Sequence, residues 1–298
     1  HYDHIAKYEY ILVESVLSHI VVSFENFLAK TAPSKNARNI HLRNIRAVFN
    51  DAINDEISFE SVNFGYSDDD LVIKDLSFKV KKGEKIAIVG ETGAGKTTIV
   101  KLLMRFYDLN SGEIKIDGVN INNYDKHSVR SLVGMVLQDT WLFNDTIYNN
   151  IRYGKLDASE EEVINASKEA HADHFIRQIP EGYESELNED ADNISHGQKQ
   201  LLTIARTILS NKQILILDEA TSSVDTRTEK IIQEAMDKLM KDRTSFIIAH
   251  RLSTVRNADK ILVIEDGHII EQGSHEELLE QKGYYYNTLN TQKKENII

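Results

Sequence analysis

From residue 57 onward, short apolar runs alternate with polar turns and with stretches of helical spacing. Residues 57–64 alternate apolar and polar side chains, as a strand with one buried face does, and residues 76–80 repeat the pattern. Lys81-Lys82-Gly83-Glu84 predicts a turn, after which residues 85–89 read as a short, very apolar strand. Residues 112–118 alternate again and close on Asp117-Gly118. Helical spacing dominates residues 146–208, where Ser159 with Glu162, ahead of Val163 and Ile164, has the form of a capping box. Residues 214–217, 245–249 and 260–264 are three more apolar runs, separated by helical segments. Strands this apolar are buried on both faces, so the pattern predicts an α/β fold with a mainly parallel sheet flanked by helices.

The first fifty residues follow a different pattern. Ile11, Leu12, Val16, Leu17, Ile20, Val21, Phe24, Phe27 and Leu28 recur at helical spacing, but Glu14, Ser18, His19, Ser23 and Glu25 interrupt them. No run therefore reaches the roughly 18 apolar residues that a membrane span requires. Residues 31–39 read as a polar loop and 40–49 as a second short helix. Residues 1–54 are accordingly set apart as a helical N-terminal segment. It is either an ordinary amphipathic helix or a stretch leading out of a membrane domain.

Composition narrows the function classes. A chain of 298 residues with 41% hydrophobic and 28% charged side chains can bury a sizeable core. Its formal charge of −12 argues against a nucleic-acid partner, which needs clustered Lys and Arg. Residues 155–193 hold twelve acidic side chains against three basic ones, a net −9, which reads either as a solvated helical face or as a surface meeting basic loops of a partner. The absence of cysteine excludes disulfides and thiolate metal sites. The first residues lack the basic-then-apolar order of a secretory signal, and a start at His1 rather than Met reads as a fragment or a processed product.

Two motifs carry chemistry. Gly90-Glu91-Thr92-Gly93-Ala94-Gly95-Lys96-Thr97 is a complete phosphate-binding loop between an apolar strand and a helix predicted over residues 98–105. Glycines at Gly90, Gly93 and Gly95 let the backbone wrap phosphates, with Thr92 and Ala94 completing the cradle and Thr98 opening the helix. Lys96 supplies a point charge to the β- and γ-phosphates of ATP, and the Thr97 hydroxyl suits Mg²⁺. The second motif is the apolar run at 214–217, which delivers Asp218 to the Mg²⁺ shell and sets Glu219 one residue further, where it can act as general base or position water.

With these motifs placed, residues 57–289 resemble the ABC ATPase family. Phe64-Gly65-Tyr66 stands where that family stacks an aromatic ring on adenine, which implies that role for Tyr66. Val136-Leu137-Gln138-Asp139 resembles the glutamine loop and implies that Gln138 lies near Mg²⁺ and senses a transmembrane partner. Asn193-Ile194-Ser195-His196-Gly197-Gln198 resembles the family signature, in which Ser195, Gly197 and Gln198 would hold the γ-phosphate of ATP bound to the opposite subunit. His196 departs from that pattern, as do Asn188 and Ala191 in the loop ahead of it, where glycine is common in exporters. Ser222-Ser223-Val224-Asp225 resembles the loop whose Asp225 couples two sites across a dimer. Ile248-Ala249-His250-Arg251 resembles the switch motif, implying a γ-phosphate contact for His250. Residues 273–278 resemble the family tail and predict a helix start, with His275 packed at the cap.

The resemblance implies a phosphate-loop core with an antiparallel β portion over residues 57–118 and a helical lobe at about 140–208, all within a domain spanning 55–298. It further implies ATP hydrolysis with Mg²⁺, a second ATPase domain as partner in a homodimer or heterodimer, and an exporter's transmembrane domain at the cytoplasmic face of the cell membrane. The alternatives are a soluble ATPase of the same family without a membrane domain, and a non-hydrolytic module that dimerises with ATP.

Overall fold

A computed structural model describes residues 56–67, 70–137, 140–188, 191, 193–218, 224–249 and 255–295. The helices expected within residues 1–54 lie outside the described residues, as do Gln138, Glu219 and His250.

In chain order the named elements are β1 (Ile57–Ser67), β2 (Asp70–Val80), β3 (Lys85–Gly90), α1 (Lys96–Leu103), β4 (Ser111–Ile116), β5 (Val119–Asn120), α2 (Lys126–Ser131) and β6 (Val133–Val136). The helix-rich middle follows with α3 (Ile147–Arg152), α4 (Glu160–Glu169), α5 (Asp173–Ile176) and α6 (His196–Ser210). The chain then alternates through β7 (Ile214–Asp218), α7 (Thr226–Met240), β8 (Thr244–Ile248), β9 (Lys260–Glu265) and β10 (His268–Gly273) to α8 (His275–Gln281) and α9 (Tyr284–Glu295). The capping box at Ser159 forms as expected, with Glu162 N donating to Ser159 Oγ at 3.2 Å and Ser159 N to Glu162 Oε2 at 2.8 Å.

Two sheets divide the strands. The first runs β2-β1-β4-β5 and its pairings are antiparallel, so the expected antiparallel portion is a four-stranded sheet of its own. Strand β3 leaves that stretch of sequence for the centre of a six-stranded sheet, ordered β10-β9-β3-β8-β7-β6. Every pair there is parallel except β9 with β10. Alternate residues of the parallel strands feed two cores, as doubly covered strands must. Ile86, Ile88, Ile216, Phe246 and Ile248 join Ile99 and Leu103 of α1 and Phe59 and Leu76 of the antiparallel sheet. Ala87, Leu215, Leu217 and Ile247 join Leu202, Ile204, Ala235 and Leu239 of α6 and α7.

Three strands had no sequence expectation: β5, which is only two residues long, β6 and β10. Strand β6 is only Val-Gly-Met-Val, too short for a period to register, and the residues read as the approach to the glutamine loop end it. Strand β10 has a broken alternation, yet its turn was legible: Asp266 and Gly267 both take positive φ (46° and 81°), the backbone that a tight two-residue hairpin demands of an Asp-Gly pair. Among the described residues, no helix is long and apolar enough to cross a membrane.

Candidate nucleotide site

The loop after β3 is built to present backbone. Gly93 and Gly95 take φ of +88° and +103°, a region that side chains disfavour, and a Cβ on Gly95 would also fall 2.8 Å from Ile73 Cδ1. Ala94 N donates to Glu91 O at 3.2 Å, closing the first turn of the loop. Gly95 is the N-cap of α1, with no side-chain cap and no acidic residue in the first turn, so the helix's own first turn leaves its positive potential unopposed. Lys96 is buried and folds back over the loop, its Nζ donating to Gly90 O at 2.7 Å and Glu91 O at 2.8 Å. Burial pulls the Lys96 ammonium below its ordinary pKa, and the negative charge of Asp218 pushes it partly back up.

That electrostatic coupling follows from strand order. Lys85–Ile88 of β3 pairs in parallel with Ser245–Ile248 of β8, and Ile248 in turn pairs with Asp218 at the end of β7. The carboxyl ends of three neighbouring strands thus open on one edge, the position where open α/β sheets hold ligands. Thr97 is exposed beside this edge and Asp218 is half-buried. A hydroxyl and one carboxylate are hard oxygen donors of the kind Mg²⁺ takes together with substrate phosphates. Among the described residues no cluster of three or more His, Cys, Asp or Glu could hold a metal.

Tyr66 lies at the end of β1 with 54% of its surface exposed. Its hydroxyl is 3.1 Å from Thr98 Oγ1 on α1, and its ring meets Phe64 and Tyr107 edge-on at 5.1 and 5.2 Å. The buried Thr98 is therefore spent on holding Tyr66 rather than facing solvent. Tyr107 escaped the sequence reading; the signal was an aromatic pair, Phe106-Tyr107, directly after the loop helix.

The signature residues form a second set. Ser195 is the N-cap of α6: Gln198 N donates to Ser195 Oγ at 3.3 Å and Ser195 N donates to Gln198 Oε1 at 2.8 Å. Asp225 caps α7 by accepting from Arg227 N at 3.1 Å and Thr228 N at 3.0 Å, and these bonds with the Thr228 side chain hold its carboxyl below the usual range. The two helix starts touch at Gly197, where a Cβ would fall 2.4 Å from Thr228 Cγ2 and 3.3 Å from Val224 Cγ1. His196 stands exposed at the first position of α6. His275, as expected, packs beside a capping box formed by Ser274 and Glu277, with its Nδ1 2.8 Å from Tyr285 Oη.

A further surface went unread in the sequence. Trp141 and Leu156 are 65% and 70% exposed, and Trp141, Phe143 and Tyr153 form a run of ring contacts at 4.2 and 4.4 Å. Arg206 of α6 underpins them, donating to Trp141 O at 3.0 Å and Asn150 O at 2.8 Å with its guanidinium over the Phe143 and Tyr153 rings. Burial pushes this guanidinium down to about 10, which leaves it charged at neutral pH. The residues are scattered over 65 positions, which hides the cluster from any local pattern.

Comparison with known proteins gives the family and the fold. The family model described as ABC transporter matches residues 73–222. A fatty acid ABC transporter ATP-binding/permease protein of Mycobacterium bovis is 56% identical over 230 residues, covering 77% of this chain and 36% of that protein. An ATP-dependent lipid A-core flippase of Methylobacillus flagellatus is 54% identical over 231 residues, covering 77% of this chain and 40% of the flippase. Among solved structures, a bacterial Atm1-family ABC exporter with ATP bound superposes with a TM-score of 0.75 at 46% identity, over 80% of this chain and 42% of that one. The chain thus spans less than half the length of each of these relatives.

Proposed function

The chain belongs to the ABC transporter family as an ATP-binding domain, and from that premise we propose that it binds Mg-ATP at the loop after β3 and hydrolyses it to drive export through an attached transmembrane domain. The observation that carries the reading is the meeting of β3, β7 and β8, which sets an uncapped helix start, Lys96 and Asp218 at one edge.

Each residue then has a role suited to its chemistry. Tyr66 stacks on the base, its ring held edge-on by Phe64 and Tyr107. The loop amides and Lys96 bind the phosphates, Lys96 exchanging its two carbonyl partners for phosphate oxygens. Thr97, Asp218 and Gln138 would supply oxygen ligands to Mg²⁺, which would contribute charge neutralisation at the phosphates. Glu219, following Asp218, orients or deprotonates the attacking water, and His250, following Ala249, holds the γ-phosphate. A second ATPase domain completes the site through Ser195, Gly197 and Gln198, with Asp225 coupling the two sites.

The exposed rings of Trp141 and Tyr153, bridged by the half-buried Phe143, offer a docking face for the cytoplasmic side of the transmembrane partner, which supports a position at the inner surface of the cell membrane. His196 favours an asymmetric pair. It puts a side chain where the family signature has glycine, so this chain's signature clamps the partner's nucleotide loosely, while its own Asp218, Glu219 and His250 work against the partner's signature.

The deciding test is Glu219→Gln, which keeps shape and hydrogen bonding but removes the carboxylate. The variant is expected to bind Mg-ATP at wild-type affinity in calorimetry and to lose about 10²- to 10⁴-fold in turnover, the usual worth of a positioned general base. Undiminished turnover would remove Glu219 from the chemistry.

A further inference from the structure

The last helix reaches back to the phosphate-binding loop. Tyr284, the first residue of α9, donates its hydroxyl to Glu91 Oε1 at 3.3 Å, across 193 residues of sequence. Its place is fixed by Glu271 of β10, whose carboxylate accepts Tyr284 N at 2.5 Å and Tyr285 N at 2.9 Å. Strand β10 is in turn tied through β9 to β3, which ends in the loop itself. The start of α9 is thus held at a set position relative to Gly90-Glu91 by three neighbouring strands. Burial first, and the Glu91 carboxylate second, raise the Tyr284 phenol above its ordinary pKa, so it remains a donor at any physiological pH.

Glu91 is the one acidic residue of the loop Gly90 to Thr97. Its carbonyl accepts from both Lys96 Nζ and Ala94 N, so its backbone belongs to the cradle while its side chain is an exposed anion. A carboxylate beside a polyphosphate is repulsive, and the repulsion grows as the two approach. In the order β10-β9-β3-β8-β7, Tyr284 draws this carboxylate toward the β10 side of the loop, opposite the side on which Asp218 ends β7.

We propose that Tyr284 is a positioning residue of the phosphate site, its hydroxyl tethering the Glu91 carboxylate to the start of α9 and so keeping that charge off the incoming phosphates. The inference rests on the nucleotide reading of the loop and adds a part to it. The C-terminal helix becomes a determinant of nucleotide affinity, and whatever shifts α9 shifts that affinity with it.

Mg-ATP titrated calorimetrically into the 298-residue chain, Tyr284→Phe, Glu91→Gln and the double variant separates the outcomes. Tyr284→Phe is expected to weaken binding about three- to fivefold, more at low ionic strength than at high, as an exposed charge should. Glu91→Gln is expected to bind at least as tightly as the wild type, and adding Tyr284→Phe to it is expected to change nothing. A wild-type chain that binds ATP while Tyr284→Phe binds equally well overturns the proposal and leaves the nucleotide reading intact. A loss of the same size with and without the Glu91 charge also overturns it, because a helix anchor that merely supports the fold would act in that way. A wild-type chain that binds no Mg-ATP overturns both.

Discussion

Helix α1 starts from a left-handed glycine with no side chain on its first amides, whereas α6 starts from Ser195, locked with Gln198 in a reciprocal pair of hydrogen bonds. Both starts are assigned to phosphate, one to this chain's own nucleotide and the other to a partner's. An uncapped start keeps its donors and its positive potential for an anion. A capped start is satisfied within its own chain, so phosphate there must share or displace bonds already made. Lys96 sharpens the contrast: as the first residue of α1 it is buried, whereas His196, the first residue of α6, is exposed. On the function proposed above, the first site would be ready in a single chain, and the second would become a site only when another surface brings phosphate to it.

The comparison breaks most readily at the first helix. Lys96→Ala removes the buried ammonium, and each charge-assisted bond lost is worth about 1.5–3 kcal/mol, or roughly 10- to 150-fold in affinity. Calorimetry with Mg-ATP on the chain alone should register that loss; unchanged affinity would mean that α1 does not depend on its cation.

At the second helix the expected effect is on packing. Gly197→Ala sets a methyl 2.4 Å from Thr228 Cγ2, where α6 and α7 close on each other. Overpacking of this kind costs about 1–3 kcal/mol, so the urea midpoint should fall. A variant as stable as the wild type would show that the two starts can part without penalty.

His196→Gly should have the smallest effect and sharpens the reading of α6 itself. If the side chain loosens the clamp on a partner's nucleotide, glycine at this position should raise the ATPase rate of the isolated chain about two- to fivefold, because backbone donors approach phosphate more closely. Brisk, cooperative turnover in the unmodified chain, with no gain in the variant, would sink the asymmetric pairing.

Legibility in the sequence followed the range of the interactions. The loop Gly90 to Thr97 declares itself because eight consecutive residues supply the turn, the charge and the helix start together. The apolar runs of β3, β7, β8 and β9 declare themselves because burial on both faces favours consecutive apolar side chains over alternation. Strand β6 did not, since four residues with a glycine carry no period. Thr98 read as part of the nucleotide cradle, and the structure gives its hydroxyl to Tyr66, 32 residues earlier in the chain. Gln198 read as a phosphate ligand, and within one chain it caps the helix that carries it.

The sequence by itself determined the family, the phosphate loop and the alternation of strands and helices, because each is written in neighbouring residues whose chemistry acts locally. The tertiary structure alone decided that Asp218 lies near Lys96, that Gly197 must lack a side chain because Thr228 is there, and that Arg206 gathers Trp141, Phe143 and Tyr153 into one face. It also decided that Tyr284 reaches Glu91. Those placements come from the lateral order of strands and the stacking of helices on them. Hydrogen bonding between strands distant in the chain sets that order, and no local periodicity records it.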